Sequence, residues 1–248
     1  MEVVFQVHNE FGRLFDERIY QAEIARRLEG ARVQVPIEVV FERFRKGFYL
    51  DLLYANGAVF ELKAADATTD RHRAQLLNYL LLLDLSHGKL VNLRGELVEH
   101  EFVNAPWRRA ERLRFDVDDA GWVESDGGAV EMKKLLVAIL QDWGVGLEIP
   151  LYEEALTHFL GGEGKVVRPV EVLVGQTTVG TQTCRLINPD TAFKITSLTN
   201  GVAHYEEHLR RLLANTALKT SRVDQHRQEN GDLPHAKKMK VRKLRART

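Results

Sequence analysis

The strongest constraint on this chain is that it carries one pattern twice. Gly12, Tyr20, Leu28 and Gly30 recur as Gly144, Tyr152, Leu160 and Gly162, an offset of 132, with Phe11 on Trp143 and Ile24 on Leu156 as similar pairs. One inserted residue then makes the offset 133, and Val33, Pro36, Glu38, Val39, Gly47, Phe60, Leu76, Leu80 and Leu85 return as Val166, Pro169, Glu171, Val172, Gly180, Phe193, Leu209, Leu213 and Leu218. A repeat this long is a domain rather than a solenoid unit, so the 248 residues are expected to form a tandem duplication. The copies are placed at residues 1–115 and 131–220, joined by an acidic, glycine-rich linker over 116–130. Two unrelated α/β domains that share common residues are the alternative.

Each copy is large enough to bury a core of its own. At 44% hydrophobic and 28% charged residues the composition is that of a soluble globular protein. No apolar run approaches the roughly 20 residues of a membrane helix, so no membrane partner is expected. The first residues, Met1 to Phe5, lack a basic stretch followed by an apolar one, so no secretory signal is expected. A single cysteine, Cys184, permits no internal disulfide and fits a reducing cytoplasm, the expected location. A net charge of zero neither announces nor excludes nucleic acid, because a basic groove can sit inside a neutral total.

Within the first copy, Val4, Val7, Phe11, Phe15, Ile19, Ala22, Ala25 and Leu28 recur at helical spacing and predict one amphipathic helix over 3–28, bent at Gly12. Alternation from Val33 to Phe41 predicts a strand over 32–42, followed by a hairpin of strands at 48–54 and 58–63. Thr68 and Thr69 can cap a leucine-dense helix over 74–85, and strands at 89–93 and 97–103 close the set. The order is αβββαββ.

On that hairpin Asp51 faces Glu61, Leu62 and Lys63. Strand side chains alternate, so Glu61 and Lys63 share a face and Leu62 points into the core. A hard cation such as Mg²⁺ takes oxygen ligands from one or two carboxylates and can generate a nucleophilic water for phosphodiester cleavage, the metal role that Asp51 and Glu61 suit. A lysine beside them can orient or deprotonate that water and balance charge building on the phosphate, which is the catalytic role for Lys63. The turn decides the geometry. A two-residue Asn56-Gly57 loop would set Asp51 opposite Leu62, whereas a three-residue loop, Ala55-Asn56-Gly57, with Gly57 left-handed, sets it opposite Glu61; the second is predicted. An aspartate ten residues before ExK is by itself a weak signal, since charged hairpins are more often solvated faces. His72, Gln75 and Tyr79 strengthen it as a polar stripe on the leucine-rich helix, and Glu17 and Tyr20 share a face of the first helix. Glu17 could approach the metal or its waters, or simply pair with Arg13 or Gln21 at the surface.

These residues resemble a family. The run His8-Asn9-Glu10-Phe11-Gly12, then Glu17-Arg18-Ile19-Tyr20, Asp51, Glu61-Leu62-Lys63-Ala64, and His72 through Leu80 (HRAQLLNYL) are similar to the GxxExxY family of the PD-(D/E)xK nuclease superfamily over residues 1 to about 105. Gln75 with Tyr79 is similar to the QxxxY element of RecB-like nucleases. One departure is Leu14, which stands where the family's naming glycine is expected. The resemblance implies a restriction-endonuclease-like α/β core using Mg²⁺ or Mn²⁺, with Asp51 and Glu61 as metal ligands. It implies Lys63 as the signature lysine, Glu17 and Gln75 as catalytic support, and nucleic acid, DNA before RNA, as substrate. His72, Tyr79 and Tyr20 are the candidate substrate contacts.

Across the repeat, Asp51 maps to Cys184, Glu61 to Lys194, Lys63 to Thr196, Gln75 to His208, Tyr79 to Leu212 and Glu17 to Ile149. Every chemical position has changed while core positions persist, so the second copy is read as degenerate. Cys184 with His204 or His208 lacks the spacing of a zinc site. A fused inactive copy could take the place of a second subunit, as an intramolecular pseudo-dimer. Residues 222–236, where closing strands would recur, show no alternation, and the stretch 221–248 holds nine Lys or Arg against three Asp or Glu, so it is expected to be a disordered basic tail able to grip phosphates, leaving the second copy without closing strands. Two functions remain open: a metal-dependent nuclease, or a catalytically silent nucleic-acid-binding or scaffold protein that keeps the fold.

Overall fold

The computed structural model describes residues 1–55, 57–121, 127–197, 200–218, 220–227 and 237–245. The chain divides into two compact units, Met1–Arg109 and Ala110–Thr248. In the first, helices α1 (Glu2–Phe11) and α2 (Glu17–Arg27) precede strands β1 (Arg32–Phe41), β2 (Phe44–Tyr54) and β3 (Ala58–Lys63). Helix α3 (Asp70–Leu83) then crosses to β4 (His87–Asn92), and β5 (Glu99–Asn104) closes a sheet of order β1-β2-β3-β4-β5. Neighbouring strands are antiparallel except β3 and β4, which are parallel as a helical crossover requires. The sheet is covered on both faces. Val4, Val7, Tyr20, Ile24, Leu52, Leu62, Val91 and Leu93 form the core under α1 and α2. Leu50, Val59, Leu76, Tyr79, Leu80 and Leu90 form the core under α3. Gly88 lets α3 close onto β4, since a Cβ there would stand 3.0 Å from Leu76 Cδ1 and 3.2 Å from the Val59 carbonyl oxygen.

The expected single bent helix over 3–28 is broken. Gly12 takes φ 69°, a left-handed conformation that ends α1, and α2 restarts after Asp16. A break in a helix frees backbone polar groups, and the Tyr20 hydroxyl satisfies two of them: it donates to Gly12 O at 2.6 Å and accepts from Phe15 N at 3.3 Å. Helix α3 starts at a capping box in which the Thr69 hydroxyl accepts from His72 N and His72 Nδ1 accepts from Thr69 N.

A short helix α4 (Arg109–Arg112) spans the division between the units. The second unit continues with β6 (Phe115–Gly121), α5 (Gly127–Trp143), α6 (Ile149–Phe159), α7 (Glu163–Val166), β7 (Val167–Val174), β8 (Thr177–Asn188), β9 (Thr191–Ser197), α8 (Val202–Ala214), β10 (Thr220–Arg227) and β11 (Lys237–Arg245). Its sheet runs β6-β11-β10-β9-β8-β7. Two expectations are corrected here. Of the expected linker over 116–130, residues 116–121 belong to an edge strand parallel to β11 and 127–130 open α5, while 122–126 lie outside the described residues. Residues 220–227 and 237–245 form an antiparallel pair, with β10 also parallel to β9, so closing strands exist where a disordered tail was expected. Parallel pairing next to β9 satisfies the β10 backbone without an alternating side-chain pattern to announce it. The remaining stretches of the basic tail, 228–236 and 246–248, lie outside the described residues. The α5–α6 connection repeats the earlier device: the Tyr152 hydroxyl donates to Gly144 O at 2.6 Å and accepts from Leu147 N at 3.2 Å. Among the described residues no helix is long and apolar enough to cross a membrane.

Candidate functional site

The β2–β3 hairpin has the three-residue register, with Tyr54 opposite Ala58, Leu53 opposite Val59 and Leu52 opposite Phe60. The left-handed residue in its turn is Ala55 at φ 49°, where Gly57 was expected to carry it; Asn56 lies outside the described residues. Strand pairing ends at Leu52, just where the next pair would be Asp51 and Glu61. From there the Asp51 carboxylate replaces a strand carbonyl and accepts Leu62 N–H at 3.0 Å through Oδ2. Leu52 packs under α1 and α2 but Leu50 under α3, so β2 changes sides across Asp51. Gln34, on neighbouring β1, carries a matching irregularity at φ 49°, a conformation rarely held by a residue with a side chain.

Lys63 is the centre of this fork. Its Nζ lies 2.6 Å from Glu61 Oε1, 3.5 Å from Asp51 Oδ2 and 3.9 Å from Glu17 Oε1. The ammonium and three carboxylates from β2, β3 and α2 thus converge. Glu61 is fully buried, and its Oε2 has no hydrogen-bond partner. Burial first, then the Asp51 carboxylate, pushes the Glu61 carboxyl up to about 8, against the pull of Lys63. Glu17 is also raised, by burial and then by Asp51, with Lys63 opposing. Burial works against the Lys63 charge, but Glu61, Asp51 and Glu17 outweigh it and hold the group above its usual range, so it stays an ammonium.

Two amides tie the acids together: Gln21, which the sequence offered as a surface partner of Glu17, and Gln34, which the sequence reading missed. Gln21 donates to Glu17 Oε1 at 3.2 Å, and Gln34 Nε2 lies 3.1 Å from Gln21 Oε1 and 3.3 Å from Asp51 Oδ1. The pairing with Glu17 was legible from their spacing of one helical turn, but Gln21 is 3% exposed and not at the surface, which its polar character did not reveal.

The other expected site residues divide. Gln75 donates to the Tyr79 hydroxyl at 3.0 Å, so the polar stripe of α3 is partnered within itself. Tyr79 is held above the usual phenol range, first by burial, with Glu61, Asp51 and Lys63 all felt at its hydroxyl. His72 is spent on the cap of α3 through Nδ1, and burial and then the Lys63 charge lower its pKa. Tyr20 is not placed as a substrate contact: it is fully buried in the α1–α2 core and its hydroxyl is committed to the backbone.

Does the set fit a metal? Among the described residues no group of three or more His, Cys, Asp and Glu is arranged to hold an ion. Two carboxylates suffice for Mg²⁺, which keeps several waters, and an orphaned, buried carboxylate oxygen is the kind of atom that a hard cation would satisfy. The residues present therefore fit such an ion at Asp51 and Glu61.

A family model matches the part of the chain that carries this fork. Residues 1–104 match that of the PD-(D/E)XK nuclease superfamily. The match lies within the first unit and leaves the second outside it. No curated protein matches the chain. Among solved structures, one described as the crystal structure of SSO0001 is similar at 19% identity with a TM-score of 0.31, over 43% of this chain and 64% of that one. Members of the superfamily are generally nucleases, and the α/β sheet of the first unit is compatible with its restriction-endonuclease-like fold.

Proposed function

We infer that the first unit is a divalent-metal-dependent nuclease that hydrolyses phosphodiester bonds, in DNA before RNA, and that it belongs with the GxxExxY proteins of the superfamily. The observation that carries this reading is the Lys63 ammonium held among Asp51, Glu61 and Glu17 at the point where β2 and β3 part, beside a buried carboxylate oxygen with no partner. Asp51 and Glu61 would hold Mg²⁺ or Mn²⁺, and the ion supplies a polarised phosphate and an activated water. Gln34 and Gln21 fix the directions of Asp51 and Glu17. Of the two roles considered for Lys63, charge donation to the phosphate is favoured over proton abstraction, because an ammonium has no lone pair to accept a proton. Glu17, the most exposed of the three acids at 32%, would orient a water at the edge of the cluster.

The two units are proposed to be copies. Leu52 opposite Phe60 becomes Arg185 opposite Phe193, and Phe60 beside Lys89 becomes Phe193 beside Arg222, so two successive strand pairings keep register at an offset of 133. The lone cysteine fits a cytoplasmic protein.

One observation favours a second reading. Lys63 already bridges Glu61 and Asp51, which offsets part of their charge without an ion, as a silent nucleic-acid-binding unit would need. Incubation of the purified chain with single- and double-stranded DNA and RNA, with Mg²⁺ or EDTA, separates the two. Metal-dependent cleavage lost on Asp51→Ala supports the nuclease, and binding without cleavage supports the silent protein.

A further inference from the structure

The second unit has not merely lost its acids; at the corresponding place it has inverted their charge. In β9 the residue after Phe193 is Lys194, just as the residue after Phe60 in β3 is Glu61, and both phenylalanines hold the same register on the preceding strand. The N–H one residue further on needs an acceptor in both units. In the first it is taken by Asp51 from the strand, and in the second Ile195 N–H donates to Glu153 Oε1 from helix α6 at 3.1 Å. Glu153 follows Tyr152 as Gln21 follows Tyr20, and the two tyrosines make the same hydroxyl bond to a glycine carbonyl. A helix carboxylate has therefore moved into the place of the strand carboxylate, which frees the strand positions for cations.

Two cations use it. Arg185 Nη1 lies 3.0 Å from Glu153 Oε2 and Lys194 Nζ 3.3 Å from Glu153 Oε1. One carboxylate shared by two cations leaves a net positive charge. The exposures give that charge a direction: the Glu153 side chain is 5% exposed, Arg185 31% and Lys194 52%, so the acid is interior and the cations reach solvent. Arg185 Nε is buried with no hydrogen-bond partner, so part of the guanidinium fork remains unused.

We propose that Arg185 and Lys194, seated on Glu153, form a metal-free phosphate-binding site through which the second unit holds the backbone of a nucleic acid without cleaving it. The choice of a phosphodiester ligand rests on the nuclease reading of the first unit; the positive charge of the site does not. An ammonium at the Glu61 position stands where the first unit would present its ion to a phosphate, and it attracts phosphate without generating a hydroxide. Bidentate Arg and a mobile Lys are the usual pair for such an oxyanion.

The full-length chain is titrated against fluorescein-labelled single-stranded and duplex DNA and RNA of equal length by anisotropy, in EDTA, over a salt series. Lys194→Ala is expected to weaken binding about 3- to 10-fold and to lower the salt slope by about one, the share of one phosphate contact. Glu153→Gln keeps an acceptor for Ile195 N–H, removes the neutralising charge, and is expected to tighten binding. Competition by inorganic phosphate at millimolar levels shows whether an isolated phosphate suffices or a polymer is required. Affinity and salt slope unchanged in Lys194→Ala overturn the proposal, as does weaker binding by a folded Glu153→Gln. If Glu153→Gln loses its circular-dichroism signature, the Lys194→Ala slope decides alone. Cleavage by the first unit is scored separately with Mg²⁺, so a chain that binds in EDTA through Lys194 but never cleaves sinks the nuclease reading and leaves this site standing.

Discussion

Replacing Glu61 by glutamine should make the metal-free first unit more stable at pH 8 and leave it unchanged at pH 5. Burial and the neighbouring Asp51 raise the Glu61 carboxyl from 4.5 to about 8. A carboxyl raised on folding contributes stability that is fully present below its unfolded pKa near 4.5 and is lost as pH rises through 8, because only the unfolded chain ionises freely in that window. At about 1.4 kcal/mol per pH unit, the interval from 4.5 to 8 sets an upper limit of about 5 kcal/mol. The pull of Lys63 is already inside that value, but water entry and local relaxation lower the cost of ionising a buried carboxyl, so about 2 kcal/mol is the size expected between pH 5 and 8. Glutamine keeps the shape and cannot ionise, so it should abolish the slope. Two units make global unfolding a poor readout. Amide exchange by mass spectrometry on peptides covering β2 and β3, in EDTA, reports the first unit alone. Parallel loss of protection in wild type and Glu61→Gln from pH 5 to 8 would refute the reasoning, since the ionising group would not then be Glu61.

Other perturbations test the remaining assignments. Tyr20→Phe and Tyr152→Phe each remove a hydroxyl that serves two backbone groups, and each should cost its unit about 1–3 kcal/mol in exchange-derived stability; Tyr20→Phe should leave cleavage within about twofold, and a large kinetic loss in a folded variant would restore Tyr20 as a substrate contact. Gln34→Ala removes the donor to Asp51 Oδ1 and should weaken Mg²⁺ binding about 10-fold by calorimetry, the usual scale for a residue that orients a ligand. Thr69→Ala deletes the cap of α3 and should lower stability by about 1 kcal/mol in the same exchange experiment.

Much of the first unit could be read in advance because its signals are local. The alternation of β1 and β3, the leucines of α3 and the Thr69 cap are properties of short windows, and the register that brings Asp51 beside Glu61 follows from turn length. The expectations that failed depend on contacts that no periodic pattern announces. Gly12 breaks the first helix because Tyr20 can satisfy the exposed backbone, which periodicity does not show. Strand β10 owes its place to parallel pairing with β9 and not to its own residues, which do not alternate. Gln21, Gln34 and Glu153 looked like ordinary polar residues because their roles appear only when α2 meets β1 and β2, and α6 meets β8 and β9.

The central claim is that Asp51, Glu61 and Lys63 form one metal-dependent hydrolytic centre. Its most direct test is the rate of phosphodiester cleavage by the full chain with Mg²⁺, comparing wild type with Lys63→Ala and Asp51→Ala after both variants are shown to be folded. The account predicts cleavage that EDTA abolishes and that falls at least about 100-fold in each variant, the scale of losing a charge-stabilising group. Cleavage that persists in EDTA, or that both substitutions leave intact, would contradict it.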